Sequence, residues 1–159
     1  MKTFSIIDPK NHITLKAKPS IQNDGNFLVI FDLFYLDDKN KVKKGEGVEF
    51  FLDESDIDYI SYLYHHGKIP AEGYSIIRGR NGVARGFKIT HSHTTLAAGH
   101  ISIKIAKGKG NTMPSGLTSL KQVEQTIIIN ITFEQTIKLI KFLERAVLIF
   151  NLKSEMNEK

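Results

Sequence analysis

The chain has 159 residues, of which 41% are hydrophobic and 25% charged, a composition typical of a globular protein with one core. It contains no cysteine, which excludes disulfides, thiolate metal sites and cysteine nucleophiles, and no apolar run reaches the roughly 18 residues of a membrane-spanning helix. The formal charge of +5 favours polyanionic partners, and the short, polar N-terminal segment is unlike a secretory signal, so we expect a cytoplasmic protein.

The first half of the sequence predicts three strands followed by a helix. The strands are expected at 12–18, 27–36 and 48–52. The first alternates between apolar and polar side chains and should end at Pro19. Asp53 or Ser55 can cap the helix that follows, and Gly67 can end it in the left-handed conformation.

The second half repeats this order with a longer loop. Strands are expected at 74–78, 85–93, 100–107 and 126–131. Residues 108–122, which are rich in Gly, Ser and Lys, read as a long basic loop. Thr132 and Gln135 form a capping-box pattern at the start of a helix over 133–150.

The two halves together predict an α+β fold built from a duplicated β-β-β-β-α unit. Each antiparallel sheet would be backed by its own helix, because one such sheet cannot bury its apolar face alone. We expect a single domain over 1–151, with repeats at about 4–67 and 74–151 and a flexible tail at 152–159.

One stretch of the first half carries a resemblance to a known group. Residues 27–63, "FLVIFDLFYLDDKNKVKKGEGVEFFLDESDIDYISYL", resemble the signature of the transcriptional positive-cofactor and Whirly superfamily, and 99–140 look like a second, looser copy. The resemblance implies a Whirly-like fold and single-stranded nucleic acid binding on the open sheet faces, with DNA preferred over RNA. It implies no cofactor and leaves monomer and homo-oligomer open.

The charge pattern points to the same surface. The stretch 78–109 holds no acidic residue, and if Ile103 and Ile105 face the core, Lys104 must face solvent. Lysines on such a face neutralise phosphates while aromatic rings stack on bases. The predicted nucleic-acid-binding residues are Lys16, Lys18, Tyr35, Tyr74, Arg78, Arg80, Arg85, Lys88, Lys104, Lys107 and Lys109. The candidate base-stacking rings are Phe34, Tyr35, Tyr74 and Phe87.

Other constellations predict no chemistry. His91, His93 and His100 lack an acidic or cysteine companion, so we expect no metal site. The acidic cluster at 53–58 is explained by the preference of helix N-termini for negative charge. With no catalytic motif, the sequence indicates a protein that is not an enzyme.

The expected function is therefore sequence-tolerant binding of single-stranded nucleic acid in replication, recombination or transfer. The Lys- and Ile-rich composition suits an AT-rich bacterial, phage or mobile-element genome. Two alternatives stay open. One is a protein assembly module that uses strand 27–36 as its interface, and the other is a transcription regulator that grips duplex DNA through its loops.

Overall fold

A computed structural model of the chain describes residues 2–70, 72–91, 100–112, 114–115 and 118–157. The elements are β1 (Phe4–Asp8), β2 (Ile13–Ile21), β3 (Phe27–Tyr35), β4 (Val48–Asp53), α1 (Glu54–His65), β5 (Tyr74–Arg80), β6 (Val83–His91), β7 (Ile101–Thr112), β8 (Thr118–Ile131) and α2 (Phe133–Asn157). This order confirms the predicted duplicated unit. Neither α1 nor α2 is both long and apolar enough to span a bilayer.

Each half forms a four-stranded antiparallel meander, with strand orders β1-β2-β3-β4 and β5-β6-β7-β8. Alternation along each strand buries one face: Phe31 and Leu33 of β3 point inward, as do Ile103 and Ile105 of β7. The two inner faces and both helices share one core, in which the Phe31 ring lies 5.8 Å from the ring of Phe87. The sheets therefore pack against each other as well as against the helices.

Both helices begin with the caps that the sequence predicts. The Asp53 side chain accepts a hydrogen bond from the Asp56 amide, and the Asp56 side chain accepts one from the amide of Asp53. Thr132 and Gln135 make the same reciprocal pair at the start of α2. Gly67 follows α1 with φ +61°, the left-handed conformation that favours glycine after a helix.

Three contacts join β4 and the residues just before it to the second sheet. These are Arg78 Nη1 to the Phe51 carbonyl (2.6 Å), Arg85 Nη2 to Glu49 Oε1 (3.6 Å) and Gln125 Nε2 to the Glu46 carbonyl (2.6 Å). The partners lie on β5, β6 and β8, so β4 runs across the strands of the second sheet. The distances are consistent with this crossing. The extended chain from Glu46 to Phe51 spans about 17 Å, and the three strand spacings from β5 to β8 span about 14 Å.

The prediction that the strand over 12–18 ends at Pro19 was wrong. Pro19 lies inside β2 and is paired with Val29 of β3. The pairing of β1 with β2 stops at Ala17, so beyond that residue none of the described strands pairs with this side of β2. A proline there removes no ladder hydrogen bond on that side.

The predicted loop at 108–122 was also wrong, because β7 and β8 extend through most of it. The hairpin bends over β6, and the Gly110 amide donates to the Gly82 carbonyl at 3.1 Å. A Cβ atom at Gly108 would overlap the carbonyl of Gln122, and one at Gly110 would overlap the side chain of Ala84. The glycines that suggested a loop are therefore needed for close backbone packing.

The last helix is longer than predicted. It continues past residue 150 to Asn157, so the predicted tail at 152–159 is helical as far as that residue, and 158–159 lie outside the described residues. Asn151 Nδ2 donates to Glu54 Oε1 at 2.9 Å, which ties this part of α2 to the start of α1.

Candidate nucleic-acid interface

The outer face of the second sheet combines positive charge with apolar side chains. Its outward residues, read from the strand register, include Ser75, Ile77, Gly86, Lys88, Thr90, Ser102, Lys104, Ala106, Thr126, Ile128 and Asn130. None of them is acidic. Lys88 lies directly opposite Lys104 in the ladder, and Lys104 lies opposite Ile128, which is exposed.

The bent hairpin turns part of this face into a groove. Leu120 lies over Gly86 on its floor, since a Cβ atom at Gly86 would be in ordinary contact with Leu120 Cδ2, at 3.7 Å. The groove has a volume of about 180 Å³. We call it the lysine groove; it is lined by Ser75, Ile77, Gly86, Phe87, Lys88, Lys104, Ala106, Leu120 and Val123.

The lysine groove has the side chains to bind a ligand in which an anionic group is attached to an apolar ring. Lys88 and Lys104 face each other, and like charges directly opposite on a sheet repel unless an anion lies between them. In the part of the chain that the structure describes, neither ammonium forms an ion pair. Ile77 and Val123 are exposed beside them and offer flat apolar contact.

Three of the predicted cations lie on the opposite face of the second sheet. Arg78, Arg85 and Lys107 are aligned across β5, β6 and β7 on its inner side, where β4 crosses. Residues 78–109 contain no acidic residue of their own, but the fold places carboxylates of β4 and α1, from the first half of the chain, next to these cations.

The Arg78 guanidinium is held by two of these carboxylates. Its Nη2 atom lies 2.7 Å from Asp56 Oδ2 and 3.1 Å from Asp53 Oδ2. Burial raises the pKa of Asp56 above its usual value. The hydrogen bonds that its carboxylate accepts from the Asp53 amide and from Arg78 oppose this rise. For Asp53 the effect of burial is outweighed by the Asp56 amide and Arg78, so the pKa of Asp53 is lowered.

A second cleft, of about 160 Å³, lies where the outer face of the first sheet meets this row of cations. It is lined by Asp32, Phe34, Gly47, Val48, Glu49, Arg85 and Lys107. Burial and the nearby Glu49 raise the pKa of Asp32, while Lys16 and Lys18 on the neighbouring strand oppose the rise. Lys16 and Lys18 therefore belong to a face of mixed charge on the other sheet, apart from Lys88 and Lys104.

The four predicted base-stacking rings differ in how far they are buried. Phe87 is only 2% exposed and sits in the core, so the prediction that it stacks on a base was wrong. Tyr35 and Tyr74 are partly buried and pack against the core. Phe34 lies on the outer face of β3, opposite to the inward Phe31, and its ring covers Gly47.

The remaining predicted residues lie near the sheet ends. Lys109 is exposed in β7 opposite Val83. The backbone of Arg80 belongs to β5, whereas its side chain lies outside the described part of the structure, as does the whole of His93. Among the described residues, no group of three His, Asp or Glu side chains is arranged to hold a metal ion.

The sequence analysis missed the apolar lining of the lysine groove. Ile128 could have been found, because the alternation that buries Ile127 and Ile129 turns it outward. Leu120 and Val123 could not, because they reach the groove only through the bend and the register shifts in the β7–β8 hairpin.

Comparison with known proteins identifies the fold. No family model matches the chain, and no curated protein does. Among solved structures, WHY1 from Arabidopsis thaliana matches with 11% identity and a TM-score of 0.65, covering 92% of this chain and 82% of that one. WHY3 from the same plant matches with 11% identity and a TM-score of 0.66, covering 92% and 86%. The plant transcriptional regulator PBF-2 matches with 12% identity and a TM-score of 0.68, covering 99% and 86%. The chain has the α+β fold of the Whirly proteins, which confirms the resemblance at the level of the fold.

Proposed function

We propose that this chain is a cytoplasmic, non-enzymatic protein that binds single-stranded nucleic acid, DNA in preference to RNA, along the lysine groove. The observation that carries the proposal is the facing pair Lys88 and Lys104 beside exposed apolar side chains, in a groove whose lining residues include no acid. The lysines would contact phosphates, and the apolar lining would contact the faces of bases.

A single strand fits this surface better than a duplex does. Only an unpaired strand exposes the faces of its bases, and the apolar lining of the lysine groove offers nothing to the sugar-phosphate exterior of a duplex. The basic loop that could have gripped duplex DNA is instead mostly strand in β7 and β8. Because phosphate and apolar contacts carry little sequence information, we expect sequence-tolerant binding of the kind used in replication, recombination or transfer.

The assembly-module alternative has weaker support. It requires strand 27–36 as an interface, yet β3 is paired on both sides and its inner residues belong to the shared core. Its outward residues, including Ile30, are half-buried.

The proposal is tested with the double variant Lys88→Ala/Lys104→Ala and a fluorescently labelled poly-dT strand. We expect submicromolar affinity for the unmodified protein at low salt, at least about tenfold tighter than for the matching duplex. Fluorescence anisotropy across a salt series should show weaker binding by the variant and a slope of log K against log salt shallower by about 1.4, the value for two phosphates of a single strand.

The matched control, Lys138→Ala/Lys153→Ala, removes the same charge from exposed positions of α2. It should leave both affinity and slope nearly unchanged. Equal effects of the two variants would show that overall charge, rather than the lysine groove, binds the strand, and the proposal would be rejected.

A further inference from the structure

A cluster of aromatic side chains lies on α1 beside the edge of the second sheet. Tyr59 and Tyr62 are 47% and 45% exposed, although rings of this size are usually buried further. Their ring centroids are 6.4 Å apart and their planes differ by only 14°. We call this pair the tyrosine platform.

Neighbouring side chains hold the tyrosine platform in place. The ring of Tyr74 packs edge-on against Tyr59 with centroids 5.0 Å apart, and the ring of His66 lies 4.3 Å from that of Tyr62. Lys68 Nζ lies 3.3 Å from the Tyr62 hydroxyl and 5.6 Å from its ring centroid. Each of the two nearly parallel rings is thus held by another ring, and a cation lies beside Tyr62.

The tyrosine platform and the lysine groove lie on either side of the edge strand β5. The Lys88 side chain passes over Gly73, where a Cβ atom would come within 2.6 Å of Lys88 Cε. The next residue, Tyr74, begins β5 and contacts Tyr59. A chain that leaves the lysine groove at Lys88 and turns past β5 therefore reaches Tyr59 next.

We propose that the tyrosine platform is a second site for the same single strand, stacking its bases after the strand leaves the lysine groove. This inference rests on the proposed function. Unpaired nucleobases are the ligand class that exposed, pre-positioned tyrosine rings favour, because every base has a flat face to stack. The phosphates belong on the Lys68 side, since Asp58 lies one helical turn before Tyr62 and would repel them.

The test compares strands of two lengths on three proteins. A poly-dT strand of about 5 nucleotides can occupy only the lysine groove, whereas one of about 12 can reach the tyrosine platform as well. Tyr62→Ala removes the ring, and Tyr62→Phe keeps it without the hydroxyl. Anisotropy titrations should show that Tyr62→Ala weakens binding of the longer strand about fivefold to tenfold and leaves the shorter strand unaffected, while Tyr62→Phe resembles the unmodified protein.

The outcomes separate this inference from the function on which it rests. If Tyr62→Ala binds both strands like the unmodified protein while Lys88→Ala/Lys104→Ala is weakened, the tyrosine platform is rejected and the lysine groove stands. A change in sedimentation of Tyr62→Ala without a change in strand affinity would also reject it, since the rings would then contact protein. If the unmodified protein binds neither strand, both proposals fail.

Discussion

Arg78 shows at the residue scale how a sequence pattern can mislead. The sequence places it at the start of a long stretch that lacks acidic residues, which favours a contact with nucleic acid. The fold brings Asp53 and Asp56 to its guanidinium, and Phe51 offers its carbonyl as well. These partners come from 22 to 27 residues earlier in the chain, a separation that no local pattern can bridge. We therefore assign to Arg78 the role of joining α1 and β4 to the second sheet.

Replacement of Arg78 should consequently lower stability more than strand affinity. Arg78→Met leaves the Asp56 carboxylate buried without its cation, and we expect the free energy of unfolding to fall by about 2 kcal/mol, less than for a fully buried pair because Arg78 is partly exposed. Urea unfolding measures the loss. The affinity of the folded protein for poly-dT should change less than twofold.

Two further variants check the cause of this loss. Asp56→Asn in the Arg78→Met background removes the uncompensated charge and should recover part of the stability. Arg145→Met removes an exposed arginine of α2 and should have little effect. A loss of strand affinity in Arg78→Met that matches the loss in Lys88→Ala/Lys104→Ala would contradict the assignment.

At the element scale, the strands and helices that the sequence predicts well are those with a clear period. Alternation in β2 and β7 and the capping box of α2 are local signals, and the structure confirms them. The β7–β8 hairpin was missed because composition alone suggests a loop where glycines in fact permit close backbone contact. The apolar lining of the lysine groove depends on this hairpin and was missed with it.

A methyl group at Gly108 should disturb that hairpin. In Gly108→Ala the new Cβ atom would overlap the Gln122 carbonyl, so β8 must move away from β7. We expect a loss of about 1–3 kcal/mol in the free energy of unfolding, as for other overpacked sites, measured by thermal or urea unfolding. Strand affinity should fall too, because Leu120 and Val123 would move out of the lysine groove.

Gly86→Ala is the matched control for this change. It adds the same methyl group to the neighbouring strand, where the contact with Leu120 Cδ2, at 3.7 Å, would be an ordinary one. It should retain the stability of the unmodified protein. Equal destabilisation by both variants would mean that glycine flexibility, rather than close packing at Gly108, is what the hairpin requires.

At the scale of the whole molecule, the duplication was readable from the sequence but the arrangement of its two copies was not. The order of strands and helix recurs in both halves, and each copy has one apolar face to bury. How the two faces meet depends on contacts such as Phe50 with Phe87, whose centroids are 5.5 Å apart, and on β4 crossing the second sheet. That crossing also decides which cations stay exposed, so the site could be predicted only in part.

The shared core predicts that neither half folds alone. The inner face of each sheet is covered partly by the other sheet, and Glu144 of α2 accepts hydrogen bonds from Ser61 and His65 of α1, each at 2.5 Å. Fragments 1–72 and 73–159, made separately, should each lack a cooperative thermal transition in circular dichroism, because each would expose an apolar sheet face to water. Mixed in equal amounts, they should regain a cooperative transition and sediment as one complex. A fragment that unfolds cooperatively alone would show that its own helix suffices to cover its sheet, and the two copies would then be independent domains rather than two halves of one core.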